Sequence, residues 1–199
     1  MTVKIGVILG TTRTNSLGAR LFQYLQRHLV TPEVTYTWID LQDYPLPLYD
    51  HAETPLSEPI QHLAAPEKRW LDVLAAQDGY LILSPEYDHA IPGSLKNALD
   101  FVGPEVTAKP VQIVTYSKYS DGGMLAAASF VGILQMLKML VLPTPVLLWN
   151  AEPNFTADGD LVPDAANSDH FAQRLTEAAD ELRHYAQITK DHPYGGLAD

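Results

Sequence analysis

The stretch Val3-Lys4-Ile5-Gly6-Val7-Ile8-Leu9-Gly10-Thr11-Thr12-Arg13-Thr14-Asn15-Ser16-Leu17 decides the reading of the fold. Its first seven residues are nearly all apolar and lack the polar alternation of a strand wetted on one side. They predict a strand buried on both faces. Leu17, Leu21, Leu25 and Leu29 then recur at helical spacing, as on an amphipathic helix. Between strand and helix lies a turn rich in hydroxyls and carrying Arg13. Amides at a helix start are free donors at the positive end of its dipole, so the turn suits a phosphate. Ser16 capping the helix is the plainer reading, and these residues leave both open.

The same strand–helix alternation continues outward. Val34–Ile39 reads as a second strand, followed by a proline-rich loop from Leu41 to Pro66. A helix with Pro66 in its first turn buries Trp70, Leu71 and Leu74. Gly79–Ser84 is a third strand, and Leu95–Val102 a short helix stopped by Gly103-Pro104. Val111–Tyr116 is a fourth strand, Met124–Leu140 a long helix and Val146–Trp149 a fifth strand. Phe171, Leu175, Ala178, Leu182 and Tyr185 mark a last amphipathic helix, with Ser168 as its N-cap. The alternation predicts one α/β domain over 1–199, a five-stranded parallel sheet covered by helices on both faces. Residues 150–167 read as an excursion with a tight turn at Asp158-Gly159, and 191–199 as a loose tail.

Composition narrows the function. The absence of cysteine removes disulfides, thiolate metal sites and a cysteine nucleophile. A net charge of −11 leaves no basic footprint for nucleic acid. The first residues do not form a signal peptide, and Met124–Leu142 is a poor membrane span because Gln135 and Lys138 interrupt it. A cytoplasmic setting is expected. There is no G-x-G-x-x-G, no P-loop and no G-x-S-x-G elbow. The seven histidines show no ligand spacing, so no metal is expected.

A second segment runs Ser84-Pro85-Glu86-Tyr87-Asp88-His89-Ala90-Ile91-Pro92-Gly93-Ser94-Leu95-Lys96-Asn97-Ala98-Leu99-Asp100. It reads as a strand end, a proline-stiffened loop showing an aromatic ring, then a helix. Such a loop can offer main-chain groups to a planar hydrogen-bonding ring. It can equally be a surface loop with Tyr87 packed on its own helix.

This segment resembles the P-E-Y-N…P-G-x-L-K-N-A-x-D signature of the NAD(P)H-dependent FMN reductases, a flavodoxin-like family that includes azoreductases, quinone reductases and chromate reductases. Gly10–Ser16 is similar to the family's G-S-x-R-x-x-S phosphate loop, with Thr11 in the serine position. Asp40-Leu41 and Pro45–Asp50 resemble its D-L…P-L-P-x-Y-D stretch, and Gly122-Gly123 its glycine pair. The resemblance spans Val3 to about Trp149. It implies a flavodoxin-like three-layer sandwich with strand order 2-1-3-4-5 and non-covalently bound FMN. NAD(P)H would be the reductant, and a flavin, quinone, azo compound or similar small molecule the acceptor. Thr11, Arg13 and Ser16, with the amides of Asn15 and Leu17, would hold the FMN phosphate. Pro85, Glu86, Tyr87 and Asp88 would border the ring, largely through main-chain contacts, and Ser117, Gly122 and Gly123 would close its other side. No residue is named as catalytic, because the cofactor carries the hydride chemistry.

The chain departs from this pattern at Asp88, where the family has asparagine, and after Gly123, where Met124-Leu125 and an alanine run replace the family's arginines. A carboxylate at the ring would disfavour its reduced, negatively charged form; Asp88 facing solvent, or pairing with His89 or Lys96, would leave the ring indifferent. The rival reading is a flavodoxin-type electron carrier without turnover of its own. The Met124–Leu142 segment is apolar nearly all round, which predicts a homodimer or homotetramer joined partly through it.

Overall fold

The strand that opens the chain, β1 (Val3–Leu9), lies between β2 (Val34–Asp40) and β3 (Gly79–Pro85), and all three run parallel. The computed structural model describes residues 2–119 and 121–194. β4 (Pro110–Tyr116) adds to β3, giving the order 2-1-3-4-5 of a flavodoxin-like sandwich. β3 and β4 are buried along their whole length, as their largely apolar runs suggest, and the burial takes in Ser84, Gln112 and Thr115 as well.

The fifth position differs from the single strand expected at Val146–Trp149. Two short strands fill it: β5 (Leu140–Val141) beside the start of β4, and β6 (Val146–Leu148) beside its end. Pro143 and Pro145 stand between them, and neither can donate to the ladder.

Helices cover both faces. α1 (Leu17–His28) and α5 (Ser168–Asp191) pack one side around Leu21, Leu25, Phe171 and Leu182. α2 (Ala65–Ala75), α3 (Gly93–Asp100) and α4 (Met124–Met136) pack the other around Trp70, Leu95 and Phe130. Trp70 is fully buried, and its Nε1 donates to the Ala98 carbonyl at 2.8 Å, tying α2 to α3. The long loop before α2 is pinned by Asn97, whose Oδ1 accepts from the Tyr49 amide at 2.9 Å and whose Nδ2 donates to Pro47 at 2.7 Å.

Three boundaries correct the sequence reading. α4 ends at Met136 instead of Leu140, because Lys138 turns left-handed at φ 58°. The Lys138 amide then bonds Gln135 and the Met139 amide bonds Leu134, a Schellman stop with lysine in the slot glycine usually fills. Ser168 is not the cap of α5: Asn167 holds that place, and the buried Ser168 hydroxyl finds no partner among the described residues. Asp191 still belongs to α5, and the rest of the expected tail lies outside the described residues from 195 onward. Among the described residues no helix is long and apolar enough to cross a membrane.

Candidate functional site

Three loops meet beyond the carboxyl ends of β1, β3 and β4, where an open parallel sheet leaves a crevice. The first follows β1. Thr11 is buried, its Oγ1 lies 3.1 Å from the Tyr87 hydroxyl and accepts from the Arg13 amide at 3.3 Å. Arg13 is exposed, with its guanidinium 5.9 Å from the Tyr87 ring centre. Asn15 adopts a left-handed φ of 52°. Ser16 caps α1, its Oγ accepting from Ala19 at 3.1 Å, and keeps its own proton to donate. The amides of Thr12, Thr14, Asn15, Ser16 and Leu17 make no hydrogen bond among the described residues. The structure thus joins the two readings of this turn, a capped helix and a row of open donors.

The second loop follows β3. Tyr87 and Ala90 exchange two backbone bonds of 3.0 Å around Asp88 (φ 49°) and His89 (φ 64°), both left-handed. This is a tight primed turn, in which Asn and Asp are the side chains that best tolerate positive φ. Asp88 is exposed at its tip. Lys96 pairs with Asp100, and His89 Nδ1 lies 3.3 Å from Glu86 Oε1, so Asp88 takes neither of the partners considered for it. Glu86 turns inward: its side chain is 9% exposed, and Oε2 accepts from the Ala126 amide in the first turn of α4 at 3.0 Å. This bond ties the second loop to the start of α4.

The third loop follows β4. Ser117 Oγ lies 2.9 Å from Asp121 Oδ1, which also accepts from the Gly123 amide at 3.3 Å. The Ser117 hydroxyl, then that amide, hold the Asp121 carboxyl below its ordinary range. Gly122 (φ 64°) and Gly123 (φ 82°) are both left-handed. A Cβ on Gly122 would sit 3.0 Å from Leu147 Cβ, and one on Gly123 2.9 Å from Thr115 Cβ. The pair therefore follows from backbone shape and close packing together.

The sequence reading missed Tyr116, Gly18 and Asp121. The Tyr116 hydroxyl is buried and without a partner among the described residues, and burial raises its pKa well above the ordinary phenol range. A Cβ on Gly18 would fall 2.0 Å from that hydroxyl. The available signal was a glycine in the first turn of a helix, where it is a poor helix former. Open amides, an arginine and a buried orphan hydroxyl at one crevice fit a phosphorylated planar ring such as FMN. A pocket of about 450 Å³ lies beside them, lined by Thr12, Tyr44, Leu46, Ser94 and Asn97.

Residues 3–153 match the profile of the family described as NADPH-dependent FMN reductase. The NAD(P)H-dependent FMN reductase ntnL of Nectria is 34% identical over 151 residues, covering 73% of this chain and 74% of its own. The NAD(P)H-dependent FMN reductase C4B3.06c of Schizosaccharomyces pombe is 31% identical, covering 72% of each chain. In fold the chain is similar to FerB, a flavoenzyme NAD(P)H:(acceptor) oxidoreductase from Paracoccus denitrificans, with a TM-score of 0.73 across 94% of this chain and 98% of that one at 23% identity. A family profile that covers most of the chain, and whose span takes in the three loops at the sheet's carboxyl edge, makes it a member of the NADPH-dependent FMN reductase family, with FMN as cofactor and NAD(P)H as reductant.

Proposed function

We propose that the FMN phosphate docks on the loop before α1, held by the side chains of Thr11, Arg13 and Ser16 and the amides of Asn15 and Leu17. The flavin ring then lies between the Pro85–Asp88 segment and the loop of Ser117, Gly122 and Gly123. The run of open amides at the start of α1 carries this reading, since four consecutive donors from Thr14 to Leu17, with Thr12 just before them, find no acceptor among the described residues and suit an anion. The chain is an FMN-dependent oxidoreductase, and bound FMN supplies hydride transfer from NAD(P)H to an acceptor. The residues do the rest: Arg13 and the helix amides anchor the anion, Glu86 fastens the ring-side turn to α4, and Asp121 holds the opposite loop shut. A small planar acceptor such as a quinone, azo compound or free flavin fits an exposed crevice of this kind. Arg13→Ala should weaken FMN by about tenfold or more while leaving riboflavin, which lacks the phosphate, nearly unchanged, because a charge-assisted bond contributes about 1.5–3 kcal/mol. Equal loss for both ligands would remove the phosphate from Arg13.

We further propose that the chain self-associates through α4. Met124, Leu125 and Met136 are 54%, 42% and 70% exposed, and an apolar groove of about 380 Å³ runs between α3 and α4 beside Leu99, Ile133 and Met136. Gly132 sits mid-helix with nothing within 4 Å of where its Cβ would be, so packing inside one chain does not call for glycine there. A second copy approaching closely supplies a reason. Sedimentation at micromolar concentration tests this, and a monomer would refute it. The lack of cysteine and the use of NAD(P)H favour a cytoplasmic setting, to be checked by fractionation.

A further inference from the structure

A cleft lies at the other end of the sheet, near the amino ends of β3 and β4 and the close of α5. It encloses about 730 Å³. Pro104, Leu140, Pro193 and Tyr194 give it apolar walls, and Lys109, Lys138 and Lys190 line it as well. Three of the chain's seven lysines thus converge on one cavity of a protein with net charge −11, and the flavin chemistry uses none of them.

Among the described residues Asp78 is the one carboxylate in the lining, and it is engaged by Lys190 at 2.7 Å. Lys109 is half-buried and forms no ion pair among the described residues. Its Nζ donates to Ala75 at 2.8 Å and more loosely to Leu74 at 3.3 Å, which leaves one of its three N–H groups over. Burial pulls its pKa down to about 8, outweighing the opposing pull of the Asp78 and Glu105 carboxylates, neither of which reaches it as an ion pair. Lys138 is exposed, forms no ion pair among the described residues, and occupies the left-handed stop of α4, where glycine would be the easier residue. Its carbonyl is fixed by the Ala108 amide at 2.8 Å, and Ala108 is itself left-handed. Two ammonium groups without carboxylate partners beside apolar walls describe a receptor for a negative group on a greasy body. Free phosphate would leave those walls wet.

We propose that this cleft binds a small aryl carboxylate, with its anionic group between Lys109 and Lys138 and its ring against Leu140 and Tyr194. An amide-resolved NMR titration of the FMN-loaded protein with 2-naphthoate tests it, with neutral 2-naphthamide for comparison. Naphthoate should shift the amides of Ala108, Lys109 and Leu140 without changing the flavin absorbance, and should bind about tenfold tighter than the amide. Lys138→Glu, on the surface and safe for folding, should weaken naphthoate by about tenfold, the loss of roughly one charged contact. It should leave naphthamide within about twofold by the same scale. Lys109→Met should act in the same direction. The proposal fails if millimolar naphthoate moves none of these amides, if the amide binds equally well, or if Lys138→Glu leaves naphthoate affinity unchanged.

Discussion

The two ends of the sheet are both polar, but by different means. At the carboxyl edge the donors belong to the main chain: open amides before α1, a primed turn at Asp88-His89 and a left-handed glycine pair before α4. At the amino edge they belong to lysine side chains around an apolar cleft. Main-chain donors are held by the fold itself and cannot be removed one at a time, whereas each lysine can be. The carboxyl edge should therefore be brittle toward added side chains and the amino edge sensitive mainly to charge.

The sharpest way to break it is Gly123→Ala. The new Cβ would meet Thr115 Cβ at 2.9 Å with φ held at 82°. Left-handed backbone costs about 1–2 kcal/mol for a residue with a Cβ, and overpacking about 1–3 more. A loss of about 2–5 kcal/mol in urea unfolding, with poor FMN retention, is expected; a change under about 0.5 kcal/mol, typical of neutral surface sites, would show that the loop yields freely.

Tyr116→Phe comes next and has the opposite sign. It removes a buried hydroxyl without a partner, so the flavin-free protein should gain about 1–2 kcal/mol. If FMN satisfies that hydroxyl, the gain should shrink when FMN is bound. Comparing melting of the two forms, with and without cofactor, reads this directly.

At the amino edge, Lys109 sets a pH dependence. Its folded pKa of about 8 lies below its ordinary 10.5, so between these values the unfolded chain binds more protons and stability rises with pH. Lys109→Met should lack that rise. Urea midpoints at pH 7.5 and 9.5 for both proteins would show it, and parallel curves would contradict the assignment. The upper limit stays below the range where buried Tyr80 and Tyr116, with raised pKa values, weigh the other way.

The smallest effect is expected from Asp88→Asn. Asp88 is exposed at the tip of its turn, so the two-electron potential of bound FMN should move by less than about 10 mV, near 0.5 kcal/mol. A shift of several tens of millivolts would bring the carboxylate back to the ring.

The sequence alone determined the alternation of strands and helices, because largely apolar runs and helical leucine spacing are local signals. It also determined the family, because Pro85–Tyr87 and Pro92–Asp100 keep their motif residues in order. What it misplaced were features set by distant partners. The end of α4 at Lys138 carries no glycine to announce it, and the division of the fifth strand depends on which stretch of β4 each half meets. Ser168 looks like a cap only until Asn167 is seen in that place. Only the tertiary structure decided that Glu86 serves α4, that Gly18 is glycine because Tyr116 lies against it, and that three lysines far apart in the chain share one cleft. Local pattern reports what a segment does with its own backbone and with solvent. Side-chain roles fixed by contacts tens of residues away leave no periodic trace in the chain.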